Sequence, residues 1–488
     1  ADIPERQQQN AIYFAPDRDG SLLIFGSSGS GKSTLLKTIA TAAGARPELG
    51  RVQVYGLDFA SGALGAIARL PHVGSIIDGD DAERLQRLMR TLEREMDRRS
   101  ELFSKAAAAN LTEYREIADQ SMPRILLLID NYPEFKKEWE IAAGRAPFYQ
   151  SFMRVLGEGR PLGIHAVITA DRSGSVPTAV FANIPRRVVM RLSDPSQYVL
   201  VGAPKDVLNE QSVPGRAVVD KAEVQLAVLG GTTNVAEQTK ALDELVSQLR
   251  ALGVPEVGEI GALPTKISSR AMPAQANGQP VFGIADDTLS ARGFDPIGSF
   301  IITGPPQSGK TNALKALIES VERFDPEVKL FHLGSRRAML GDFRPWVRSA
   351  TRPDDEKALV TELAEIVADE SFPGRIMIVA EDMTHLADGP ADRPMRALLQ
   401  AINNSDHLFV GDADVTRAGG GSGVMGEWKA ARQGLVLKPD TYDGDTLFKV
   451  PFGKLKRTDF PVGRGIFVQA GRMVTMQMPL ASDSEGSA

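Results

Sequence analysis

Two short stretches constrain this chain more than any other part of it: GSSGSGKST at Gly26–Thr34 and GPPQSGKT at Gly304–Thr311. Each fits G-x-x-x-x-G-K-[ST], and each lies between an apolar run and a helical pattern. SLLIF at Ser21–Phe25 precedes the first and LLKTIATAAG follows it. SFIIT at Ser299–Thr303 precedes the second, and NALKALIESV follows it. In a strand–loop–helix setting such a loop wraps its amides around phosphate oxygens, and the helix N-terminus points at them. Two matches at corresponding places in two halves predict tandem nucleotide-binding α/β domains.

Within the first loop, Gly26, Gly29 and Gly31 permit backbone angles that let amides converge on a phosphate. Ser28, Gly29, Ser30, Gly31, Lys32, Ser33 and Thr34 are the expected nucleotide contacts there. Lys32 is expected to reach the terminal phosphates, and the Ser33 hydroxyl to ligate Mg²⁺. The second loop repeats this with Gln307, Ser308, Gly309, Lys310, Thr311 and Asn312, Lys310 and Thr311 taking the roles of Lys32 and Ser33. Pro305 and Pro306 remove amide donors early in that loop, where fewer are needed. ATP and Mg²⁺ are the implied cofactors.

RILLLID at Arg124–Asp130 reads as a buried strand ending in an acid, the Walker B pattern. Asp130 can hold the magnesium water shell opposite Ser33. The next position, where many P-loop motors carry a glutamate that polarises water, is Asn131, and an amide is no useful proton acceptor. RIMIVAED at Arg375–Asp382 is the second such strand. Glu381 falls at Asp130 and Asp382 at Asn131, so the metal-side acid is longer and the base-side acid shorter than usual. Water positioning depends on about an ångström of reach, so hydrolysis is expected to be weak in both halves. Thr169 lies at a sensor position, HLFVG at His407–Gly411 is the matching strand, and Asp412–Gly426 reads as a Gly-rich segment. Arg160, Arg186, Arg187 and Arg191 are candidates for an arginine finger or for ordinary ion pairs.

With 488 residues, two similar domains are expected: 1–253, a Gly/Pro/Ala/Ser-rich linker at 254–280, a second domain at 281–480, and a polar tail at 481–488 expected to be disordered. PGRA at Pro214–Ala217 and VGRG at Val462–Gly465 extend the repeat across both domains. The absence of cysteine excludes disulfides and thiolate metal sites, and the five histidines show no ligand spacing. No apolar run approaches the roughly 18–20 residues of a membrane span, and ADIPERQQQN is unlike a secretory signal. A formal charge of −6 weighs against duplex DNA as cargo, because phosphate neutralisation calls for a basic footprint. In the helical pattern at Asp80–Lys105, arginines alternate with glutamates as on a solvated, ion-paired face.

EGRPLGIHAVITADR at Glu158–Arg172, Asn183–Leu192, Pro214–Arg216 and EREMDRRSELF at Glu93–Phe103 resemble the FtsK/SpoIIIE superfamily of hexameric RecA-like translocases. DIPERQQQ, the two loops and GLVLKPDTYDGD at Gly434–Asp445 are similar to the second and third ATPase domains of the EccC family of type VII secretion ATPases. The resemblance implies two tandem RecA-like P-loop domains, each a mostly parallel sheet flanked by helices. It also implies a cytoplasmic module at the inner face of the cell membrane. That module is either an excised piece of a membrane-anchored ATPase or a split subunit working with the anchored remainder. The implied partners are a secreted helical-hairpin substrate of the WXG class and further copies in a hexameric assembly. An ATP-holding recruitment module, an active motor with Asp382 or a partner residue as base, and an FtsK-type DNA translocase are the competing functions.

Overall fold

Alternation along the strands sets the layers. Leu22 and Ile24 join one hydrophobic cluster while Leu23 and Phe25, between and after them, join another. Ile125, Leu127 and Ile129 likewise part from Leu126 and Leu128. A strand that is apolar on both faces needs helices above and below, as in parallel α/β sheets. In a computed structural model describing residues 2, 3, 8–142, 144–369, 371–387, 389–419 and 422–482, the chain divides into two units, 1–261 and 262–488.

The first unit runs β1 (Leu22–Phe25), α1 (Lys32–Gly44), β2 (Val52–Asp58), β3 (Val73–Asp78), α2 (Ala82–Ala106), β4 (Arg124–Asp130), α3 (Tyr132–Trp139) and α4 (Ala146–Glu158). β5 (Ile164–Ala170), β6 (Arg186–Met190), β7 (Arg216–Val219), β8 (Ala222–Gln225) and α5 (Val235–Ala251) are its further main elements, with short helices at Pro16–Asp19 before β1 and at Leu111–Ile117, Thr178–Asn183 and Ser196–Leu200 between them. Its eight-stranded sheet has the order β8-β7-β6-β1-β5-β4-β2-β3, parallel from β6 to β3, with β7 and β8 antiparallel at one end. Helices α2, α3 and α4 bring Leu88, Phe135 and Phe152 to one face, and α1 and α5 bring Leu36 and Val246 to the other. The arginines of α2 are not all solvated. Arg99 is fully buried and donates to Leu162 O and Pro123 O, both at 2.8 Å, and to Glu95 at 2.6 Å.

The second unit opens with β9 (Gln275–Ala276), β10 (Gln279–Ala285) and β11 (Ser290–Gly293). It continues through β12 (Gly298–Gly304), α6 (Lys310–Phe324), β13 (Lys329–Leu333), β14 (Arg348–Ala350), α7 (Pro353–Ala368), β15 (Ile376–Ala380), α8 (Met383–Ala387), α9 (Asp392–Ile402) and β16 (Leu408–Asp414). It ends with α10 (Gly423–Trp428), β17 (Gly434–Leu437), α11 (Asp443–Phe448), β18 (Arg464–Gln469) and β19 (Arg472–Gln477). The sheet order is β9-β10-β19-β18-β17-β12-β16-β15-β13-β14, with β11 paired to β10. The segment β17 to β14 is parallel, and the strands beyond β17 are antiparallel, a larger antiparallel wing than the sequence suggests.

Two boundaries differ from the sequence reading. The stretch 254–280 is not a free linker. Val257 N donates to Pro71 O at 2.8 Å and Ile260 N to Ser75 Oγ at 2.8 Å, which ties its first part to the first unit. Ile267 and Met272 pack with Val281 in the second. The tail also begins docked: Ala481 N donates to Asn312 Oδ1 at 3.0 Å and Ser482 N to Glu319 Oε1 at 3.1 Å. Residues 483–488, also expected to be disordered, lie outside the described residues. Among the described residues no helix is long and apolar enough to cross a membrane.

Candidate nucleotide-binding sites

Both phosphate loops leave the carboxyl end of a central strand, where open α/β sheets place their ligands. In the first unit the loop runs from β1 into α1, and Gly31, at φ 106°, turns the chain into the helix. Lys32 Nζ bridges the loop, donating to Gly26 O at 2.6 Å and Ser27 O at 3.0 Å. Burial pushes the Lys32 ammonium below its usual pKa, while the nearby carboxylates of Asp130 and Asp171 oppose that shift. Lys310 makes the same bridge in the second loop, to Gly304 O at 3.0 Å and Pro305 O at 3.3 Å.

The short PGRA and VGRG repeats have a structural role here. Gly215 N donates to Ser30 O at 2.9 Å, and Gly463 N donates to Ser308 O at 3.1 Å. Each glycine is left-handed, with φ 81° at Gly215 and 78° at Gly463. A Cβ on either would come within 2.9 Å of a glutamine amide, Gln225 Nε2 in one unit and Gln477 Nε2 in the other. The turn before β7 or β18 therefore clamps the loop that precedes α1 or α6.

The acids across from the loops differ. In the first unit Ser33 Oγ donates to Asp130 Oδ2 at 2.5 Å and Thr169 Oγ1 donates to Asp130 Oδ1 at 2.6 Å. Asn131 N donates in turn to Thr169 Oγ1 at 2.8 Å. The buried Asp130 carboxylate is thus held by two hydroxyls, one of them on the phosphate loop. Asn131 is left-handed, φ 66°, and its Nδ2 donates to Phe59 O at 3.0 Å. This side chain is a locked donor at the place where a base would act.

In the second unit Glu381 is not where the sequence alignment puts it chemically. Its carboxylate accepts from His332 Nε2 at 3.0 Å, Met339 N at 2.9 Å and Leu340 N at 2.8 Å. Burial would raise its pKa, but these bonds outweigh burial and hold it below the usual range. The expected partnership with Thr311 is replaced by one with the chain that follows β13. His332 is itself buried, bonded to Ser349 Oγ at 2.7 Å and stacked on Trp346. Asp382, left-handed at φ 56°, accepts from the Thr384 hydroxyl and donates its own N to Asp412 Oδ1 at 2.9 Å. Sequence reasoning missed Asp412, because the Gly-rich composition after it suggested a loop, whereas β16 runs on to Asp414. Burial raises its pKa to about 6 despite the opposing charge of Lys310.

Other predicted residues are placed elsewhere. The Asn312 amide is engaged with Pro479 O at 2.8 Å and with Ala481 N at 3.0 Å. Of the four arginines, Arg160 donates to Arg18 O at 2.6 Å, Arg186 pairs with Asp220, and Arg187 lies over the Phe181 ring at 4.9 Å. Arg191 alone of these touches a phosphate loop, its own, through Gly29 O at 3.3 Å.

These residues fit a nucleotide phosphate with a divalent cation. A lysine and a hydroxyl share each loop, and the Ser30 and Ser308 hydroxyls inside the loops are buried with no protein partner. Residues 2–218 match the FtsK/SpoIIIE family. That match lies within the first unit, and both units have the α/β fold of P-loop ATPases. It is 24% identical over 514 residues to the ESX secretion system protein EccC of Geobacillus thermodenitrificans, covering 98% of this chain and 34% of that protein. It is 29% identical over 348 residues to YukB of Bacillus subtilis, covering 68% of this chain and 22% of that one. The chain thus spans at most about a third of either relative. Its fold is similar to that of ATPases 2 and 3 of Geobacillus thermodenitrificans EssC, with a TM-score of 0.77 and 21% identity, covering 98% and 95% of the two chains. It is also similar to ATPases 2 and 3 of Thermomonospora curvata EccC in complex with a signal sequence peptide, with a TM-score of 0.71 and 22% identity, covering 98% and 91%.

Proposed function

We propose that this FtsK/SpoIIIE-type chain is the ATP- and Mg²⁺-holding, substrate-recruiting module of a type VII secretion ATPase, with weak or silent hydrolysis. The observation that carries this reading is the contrast within each site. The lysine–hydroxyl cradles are complete, yet the position after the strand acid carries an amide in the first unit and only a short aspartate in the second. Asn131 donates to Phe59 O, and one oxygen of Asp382 accepts from the Thr384 hydroxyl while its main-chain N donates to Asp412. Lys32 with Ser33 and Asp130, and Lys310 with Thr311, would hold the phosphates and the cation. The bound Mg²⁺ would neutralise phosphate charge. A general base must take a proton from its water, and an amide is not basic enough to do so.

Recruitment of a secreted WXG-class helical hairpin is supported by the likeness to an EccC structure that holds a signal sequence peptide. Action within a type VII secretion system is supported by relatives that are ESX secretion system proteins; the cytoplasmic face, the membrane-anchored remainder and the hexameric assembly extend that reading.

Purified without added nucleotide, the protein is expected to retain ATP, with Lys32→Ala and Lys310→Ala each losing one equivalent. Steady-state phosphate release is expected to stay at background as protein concentration rises. Motor-like turnover that Lys32→Ala or Lys310→Ala removes would favour the active-motor reading instead.

A further inference from the structure

We infer that Asp412, and not Glu381, is the acid that serves the cation of the second nucleotide site. The inference rests on the nucleotide-holding reading and assigns the missing metal-side carboxylate. In the first unit β5 lies beside β1 with Thr169 paired to Ile24, two residues before the loop's first glycine. In the second unit β16 lies beside β12 with Asp412 paired to Ile302, again two residues before the first glycine of the loop. Asp412 therefore occupies the Thr169 position.

The main-chain bonds agree with that equivalence. Asn131 N donates to Thr169 Oγ1, and Asp382 N donates to Asp412 Oδ1. The two sites thus share one backbone arrangement with the acid moved by one strand. The first site puts a carboxylate on β4 and a hydroxyl on β5. The second puts a carboxylate on β16, while the acid following β15 turns to His332, Met339 and Leu340.

Glu381 could not serve both roles. Oε1 accepts from His332 and Leu340, and Oε2 accepts from Met339, so freeing either oxygen breaks a buried bond. Asp412 keeps one oxygen beyond its bond to Asp382 N, and it feels the Lys310 charge from the loop. The buried hydroxyl of Thr303, next along β12, also has no protein partner, as does that of Ser308 in the loop. Lys310, Thr311 and Asp412 are therefore the groups that face phosphate and cation in this unit. Glu381 is a positioning residue for the chain between β13 and β14.

The test uses the full chain carrying Lys32→Ala, so that only the second site binds. Affinity for a fluorescent ATP analogue is measured with Mg²⁺ and with EDTA, together with the electron paramagnetic resonance signal of bound Mn²⁺. In this background Asp412→Asn, which keeps an acceptor for Asp382 N, is expected to lower the Mg²⁺-dependent part of the affinity by about 10-fold or more and to weaken the Mn²⁺ signal. Glu381→Gln is expected to leave both in place while lowering the melting temperature. Loss of the Mg²⁺ effect in Glu381→Gln, with Asp412→Asn unchanged, would overturn the assignment and leave the nucleotide-holding reading standing. A Lys32→Ala parent that binds no nucleotide would overturn that reading in the second unit and the assignment with it.

Discussion

Asn131 places an amide where a P-loop motor would carry its general base. It sits one residue beyond the Asp130 carboxylate, in the left-handed region that asparagine tolerates better than most residues. Its amide caps the strand end at Phe59 rather than facing the loop. A second residue-scale case is Asp17, far from the chemistry. Burial works against its charge, but His165, 3.6 Å away, and Arg124, at 2.6 Å, outweigh burial and hold its pKa far below the carboxylate range. Because the folded pKa lies below the unfolded one, this stabilisation is complete above the unfolded value near 4 and is lost as pH falls through the folded one. Asp17→Asn is therefore expected to destabilise the first unit by about 2 kcal/mol at pH 7. The difference from the parent should shrink below about pH 4. Urea unfolding at a series of pH values, read by tryptophan fluorescence with Trp139 reporting on the first unit, checks both.

At the scale of elements, each phosphate loop depends on a turn nearly two hundred residues or fewer along the same unit. The turn before β7 holds the loop before α1 through Gly215, and the turn before β18 holds the loop before α6 through Gly463. Gly215→Ala or Gly463→Ala places a methyl against a glutamine amide at a left-handed position, a strain of order 1–3 kcal/mol. Each substitution is expected to weaken nucleotide binding about 10-fold in its own unit and to leave the other unit unchanged. Calorimetric titration with ATP in single-site backgrounds (Lys310→Ala for the first unit, Lys32→Ala for the second) tests that separation. The shared Gly-Arg pair of PGRA and VGRG was visible in the sequence, but the contact of its glycine with the loop was not. Nothing local links Ser30 to Gly215.

At the scale of the molecule, the two units share one plan and divide its chemistry differently. The acidic balance of 62 to 56 weighs against duplex DNA as cargo. Electrophoretic shift with duplex DNA at low salt is accordingly expected to show no salt-sensitive complex, against the DNA-translocase reading. The sequence alone determined the two loops, their strand–loop–helix setting, the tandem α/β plan and the FtsK/SpoIIIE resemblance. All of these depend on residues close together in the chain, where glycine placement and apolar periodicity act directly. Only the tertiary structure decided which acid faces which loop. The carboxylates of Glu381 and Asp412 lie on neighbouring stretches of sheet, and the direction each side chain takes follows from distant donors at His332, Met339, Leu340 and Asp382. Tertiary structure likewise divided 254–280 between the units and seated Ala481 on Asn312, because those backbone groups find their partners across the fold.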